Sequence, residues 1–139
     1  MNTPLWNTPI SLGAMRLRNR IVFPPMSTKF ASPGAGEVTE RMLAYYEARA
    51  RGGAGLVIVE ACCIHDAGSP TPRWLRLTDD ARIPAFAELA ERIRRHGARS
   101  SIQLAHTGRA ASAQATGRAV QIASRMPQLN PPNATCFTC

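Results

Sequence analysis

Lysine is nearly missing from this basic chain. Lys29 is its single lysine, so arginine carries almost all the positive charge behind a formal net charge of +8. A nucleic-acid binder of that charge is expected to concentrate it on one face or along one helix. Here the arginines are scattered from Arg16 to Arg125. The densest group, Arg92, Arg94, Arg95 and Arg99, falls at the end of a predicted helix, where cations favour the helix dipole. A basic nucleic-acid-binding module is therefore the minor reading, and no nucleic-acid partner is expected. Long apolar runs are absent too: none approaches the ~20 residues needed to cross a bilayer, so no membrane partner is expected. The start, Met1-Asn2-Thr3-Pro4-Leu5-Trp6, lacks the basic and then apolar stretch of a signal peptide, which makes the cytoplasm the expected location.

Cysteine is sparse. The four residues form a vicinal pair, Cys62-Cys63, and a late Cys136-Phe137-Thr138-Cys139. Adjacent cysteines rarely bridge, and one C-x-x-C supplies only two of the four ligands of structural zinc, so no metal site is expected. Nucleotide fingerprints are also lacking. No G-x-G-x-x-G follows the first apolar strand and no P-loop occurs; Gly52-Gly53-Ala54-Gly55 precedes a strand, the wrong side for such a motif. With 45% hydrophobic and 19% charged residues, however, the 139-residue chain has the composition of a folded domain.

Its order along the chain is regular. Ile21-Val22-Phe23 reads as a strand stopped by Pro24-Pro25. After a loop rich in Gly, Pro and Ser, Thr39 is the expected N-cap of a helix to about Arg51. Met42, Leu43, Tyr46 and Ala50 recur there at helical spacing, and Gly52-Gly53 ends the segment. Leu56-Val57-Ile58-Val59 belongs to an unbroken apolar run, the pattern of a parallel strand buried on both faces. Residues 60–79 read as a long loop. A second helix is expected from Asp80 or Pro84 to His96, with Phe86, Leu89, Ala90 and Ile93 inward, and Arg99 to Leu104 supplies a third strand. Alternating strands and helices imply parallel pairing with right-handed crossovers. Periodicity leaves two α/β architectures open, a doubly wound sheet and a closed (β/α) barrel.

In either architecture ligands sit beyond the carboxyl ends of the strands. Those ends are Pro25-Met26-Ser27-Thr28, Glu60-Ala61-Cys62-Cys63 and Gln103-Leu104-Ala105-His106-Thr107-Gly108-Arg109. They bring a hydroxyl, a small residue, an amide and an imidazole to one rim. Glu60, ending an apolar strand, needs a partner and reads as structural. Cys62 and Cys63 read as small buried residues, His106 as a loop-anchoring residue, and Arg109 as one that pairs within the rim.

Three stretches carry a resemblance. Asn19-Arg20-Ile21-Val22-Phe23-Pro24-Pro25-Met26-Ser27 resembles the first barrel strand of the old yellow enzyme family, which includes ene-reductases and dienoyl-CoA reductases. Tyr45-Tyr46-Glu47-Ala48-Arg49-Ala50 through Glu60-Ala61 resembles its first helix and second strand. Ile102-Gln103-Leu104-Ala105-His106-Thr107-Gly108-Arg109 is similar to its third strand end and is the most specific of the three. The resemblance implies the N-terminal part of a TIM (β/α)8 barrel, about three of its eight strands, in residues 1–123, with an irregular tail at 124–139. It further implies FMN held noncovalently, NADH or NADPH as reductant, and hydride transfer to a small-molecule substrate, an activated alkene or enoyl compound.

Carried over by position, Pro25 and Met26 would lie against the flavin. Ser27 would bond near the carbonyl beside the reactive nitrogen, where the family uses Thr or Cys. Ala61 would leave room for the ring, and Gln103, able to donate and accept, would meet the pyrimidine edge. The family's substrate-holding His or His/Asn pair and its phosphate loops come later than residue 139. A truncated or frameshifted, inactive product is therefore expected, with a noncatalytic barrel fragment as the rival reading. No catalytic residue is assigned, and the sequence leaves the oligomeric state open.

Overall fold

The computed structural model of the chain describes residues 3–123 and 135–136. It opens with an antiparallel hairpin of β1 (Ile10–Leu12) and β2 (Met15–Leu17), turned at Gly13, whose φ of 56° suits a residue without a Cβ. The parallel sheet follows. Its first strand is β3 (Val22–Phe23), and helix α1 (Glu40–Arg51) leads to the central strand β4 (Leu56–Cys63). β5 (Leu75–Arg76) then joins, and α2 (Ile83–Arg94) leads to β6 (Arg99–Ala105). A short α3 (Ala113–Thr116) precedes β7 (Gln121–Ile122), which pairs in parallel with β8 (Thr135–Cys136). Apart from β8, the expected irregular tail lies outside the described residues, Cys139 included.

β4 holds the sheet together. β3 pairs with its beginning through Val22↔Leu56, β5 with its end through Cys62↔Leu75, and β6 runs along its whole length, all in parallel. The three expected strands are thus neighbours in one parallel sheet. β4 is four residues longer than the apolar run suggests, and β5 lies inside the expected long loop of residues 60–79. The hairpin was also unforeseen, although a Gly at the first position of a two-residue turn is a recognised hairpin signal.

Both helices cover one face of the sheet. Thr39 caps α1 by accepting from the Met42 N–H, as expected, and Met42, Tyr46 and Ala50 are fully enclosed. They pack with Leu89 and Ile93 of α2 and with Val57, Val59 and Cys62 of β4. Arg18, next to the hairpin, ties both helix ends together. Its guanidinium donates to the carbonyls of Ala50, in the last turn of α1, and of Ala54 and His96, in the turns that follow α1 and α2, at 2.9, 2.9 and 2.6 Å. The opposite face is open. Among the described residues the outer edges of β3 and β6 have no strand partner, and Val22, which alternates with the core-facing Phe23, is 43% exposed.

Candidate functional site at the carboxyl ends of the strands

Val57 and Val59 point to the helices, so plain alternation would send Glu60 to the open face beside Ile58. A bulge between Val59 and Ala61 prevents this. Glu60 turns toward α1, where its carboxylate accepts from the Tyr46 hydroxyl at 3.1 Å and the Thr28 N–H at 2.8 Å. The Glu60 N–H in turn donates to the Tyr46 oxygen at 2.9 Å. Glu60 is 1% exposed, and these bonds are what make its burial tolerable. Burial, reinforced by the nearby carboxylate, pushes the Tyr46 phenol well above its ordinary value.

The same bulge moves Ala61 to the open face, directly across from Gln103 of β6. Thr28, held by Glu60, draws the segment after β3 to this end of the sheet, and Ser27 is its neighbour in the chain. Ser27, Ala61 and Gln103 are therefore linked by a peptide bond, one hydrogen bond, a second peptide bond and a ladder pair. Pro25 is half-buried, while Met26, Ser27 and Gln103 are exposed, so these groups remain accessible.

Two rim loops interlock beyond them. Thr107 donates to the Gly68 carbonyl from its N–H at 3.1 Å and from its hydroxyl at 2.7 Å. A Cβ on Gly68 would lie 2.7 Å from the His106 ring and 2.9 Å from the Cys63 sulfur, so only glycine lets these groups close. His106 Nδ1 accepts from the Gly108 N–H at 3.1 Å. Burial, then the neighbouring His65, lower its pKa from the ordinary imidazole value. That matches an anchoring residue. His65, with its ring centroid 5.9 Å from that of His106, was not singled out in the sequence; nothing in its local pattern marks it. The two imidazoles line a cleft of about 520 Å3 with Ile64, Gly108, Gln121 and Ala123. Arg109 is exposed in a single 3-10 turn.

Cys62 and Cys63 are buried, as expected. Burial, with Cys63 adjacent, pushes the Cys62 thiol up to about 12, and burial also raises Cys63. Neither offers a thiolate at neutral pH. The arginine cluster is largely spent on carboxylates: Arg92 reaches Glu40 at 2.7 Å and Glu88 at 2.8 Å, and Arg94 reaches Glu91 at 2.6 Å.

The rim suits a flat ring with polar edges. By position in the sheet, Ala61 lies across from Gln103, whose amide can donate and accept, and Pro25, Met26 and Ser27 follow the end of the neighbouring strand β3. An isoalloxazine has that shape and that distribution of polar atoms, so the residues present fit a flavin.

Comparison with known proteins agrees. The family model described as NADH:flavin oxidoreductase / NADH oxidase family matches residues 6–135. An NADH oxidase of Thermoanaerobacter brockii is 43% identical over 99 residues, covering 70% of this chain and 15% of its own length. An NADPH dehydrogenase of Bacillus subtilis (strain 168) is 40% identical over 104 residues, covering 75% of this chain and 31% of its own. The solved structure of an old yellow enzyme homologue from Zymomonas mobilis superposes with a TM-score of 0.79 and 30% identity, covering 87% of this chain and 33% of that one. The chain thus spans less than a third of the length of these two curated relatives. Its unclosed parallel sheet corresponds to part of the TIM barrel of such enzymes.

Proposed function

Since the chain belongs to the NADH:flavin oxidoreductase / NADH oxidase family, we propose that its rim is one side of the FMN site of an old yellow enzyme-type reductase. The observation that carries this reading is the convergence of Ser27, Ala61 and Gln103 through the Thr28–Glu60 hydrogen bond and the Ala61–Gln103 pair. FMN bound there would supply the chemistry, hydride taken from NADH or NADPH and delivered to an activated alkene. The chain's own residues hold and orient. The Gln103 amide bonds the polar edge of the ring, and the Ser27 hydroxyl bonds near the site of hydride exchange. Ala61 admits the ring close to the sheet, while Pro25 and Met26 shield it from water. Thr28, Glu60 and Tyr46 fix the backbone on which Ser27 and Ala61 depend. The buried thiols of Cys62 and Cys63 stay protonated and take no part.

The proposal includes that these 139 residues alone are colourless and inactive. One side of a flavin site and two open strand edges leave most of the ring and its phosphate without partners. The experiment uses a longer family protein in which residues 1–123 of this chain replace the matching part. Gln103→Ala should then weaken FMN binding by about 1–3 kcal/mol, because polar ring atoms lose their partner. Unchanged flavin affinity would remove Gln103 from the site. A soluble yellow 139-residue chain that oxidises NAD(P)H would overturn the second part.

A further inference from the structure

Among the described residues, Arg76 is a buried cation without a counter-ion. It is 9% exposed, and its stem is held under the preceding loop: the Arg76 N–H donates to the Gly36 carbonyl at 2.9 Å. A Cβ on Gly36, whose φ is +65°, would lie 2.6 Å from the arginine Cγ. Of the guanidinium, Nε and Nη2 are buried and have no hydrogen-bond partner among the described residues. These two nitrogens share one edge of the planar fork, the edge that takes an oxyanion with two parallel bonds. Among the described residues no carboxylate lies within 4.0 Å of it. Arginine cannot escape such burial by losing its proton, so an anion is what the site lacks.

The side chain lines a cleft of about 270 Å3 with Glu37, Asp79, Arg82, Ala85 and Phe86. Asp79 is committed to Arg82 at 2.9 Å, and Glu37 is exposed and bonded to Ser32. Ala85 and Phe86 belong to the first turn of α2, the end of the helix whose dipole favours negative charge. We propose that this cleft binds a small oxyanion, a phosphate or carboxylate group, through the Arg76 guanidinium. The volume admits such a group but not a whole nucleotide. Pro25, Met26, Ser27, Ala61 and Gln103 are not among its lining residues, so this site stands or falls independently of the flavin proposal.

The test follows the melting temperature of the full 139-residue chain in sodium phosphate, sodium acetate and sodium chloride at equal ionic strength. A ligand of the native state raises it saturably. Phosphate, acetate or both should do so relative to chloride, and which of them acts separates a phosphate from a carboxylate site. Arg76→Met keeps the apolar stem and should abolish the response, whereas Arg73→Met, at an exposed neighbour, should leave it intact. Arg76→Lys keeps the charge without the fork and should bind about tenfold more weakly; it carries the test if Arg76→Met does not fold. No response beyond chloride, or an undiminished response in Arg76→Met or Arg76→Lys, overturns the proposal.

Discussion

Replacing Tyr46 by phenylalanine removes one oxygen and nothing else from the core. That oxygen donates to the Glu60 carboxylate at 3.1 Å and accepts from the Glu60 N–H at 2.9 Å, with both residues enclosed. In Tyr46→Phe the N–H has no partner, at a cost of roughly 1–3 kcal/mol, and one hydrogen bond to a charged group is lost, another ~1.5–3 kcal/mol. A total of about 2.5–6 kcal/mol is a large share of a domain's net stability of roughly 5–15 kcal/mol. Thermal unfolding should shift down by roughly 10 °C or more. The remaining anchor, Thr28 N–H to Glu60, should also loosen, so hydrogen exchange at the Thr28 amide should speed up more than at amides of α2. Urea titration of the two proteins measures the first effect and native-state exchange the second. A loss below about 1 kcal/mol, with Thr28 still protected, would refute the view that this pair holds the rim.

Two further outcomes follow from other parts of the molecule. Tyr46 and Cys62 both have folded-state pKa values raised by burial, so the native state keeps protons that the unfolded chain gives up; stability present below pH 9 should fall as pH rises from the ordinary thiol value of 9.0, and faster beyond 10.0. Urea unfolding at pH 7, 9 and 10.5 checks this, and a flat profile would contradict it. Arg18→Leu strips three carbonyls at and just beyond the helix ends of a charged donor and should cost about 2–4 kcal/mol, with exchange accelerated first around Ala54 and His96; loss confined to the N-terminal hairpin would mean that the helices do not depend on it.

The sequence by itself determined the order of strands and helices. The apolar run at Leu56–Val59, the helical spacing of Met42, Tyr46 and Ala50, and the Thr39 cap are local signals, and local signals survive without knowledge of the partner surface. The short strand ends at Ser27, Ala61 and Gln103 could be picked out because function in parallel α/β folds gathers there. What only the tertiary structure decided was which way the side chains of β4 face. A charged residue in an apolar run reads as the end of a strand, yet Glu60 continues it, because Tyr46 and Thr28, 14 and 32 positions away, satisfy its carboxylate through a bulge that no periodicity announces. Arg18 reaching three carbonyls and Arg76 left without a counter-ion are likewise matters of which groups meet, or fail to meet, across long sequence separations. Spacing along a chain fixes faces and ends, whereas hydrogen-bond satisfaction inside a fold depends on neighbours that only the packed structure brings together.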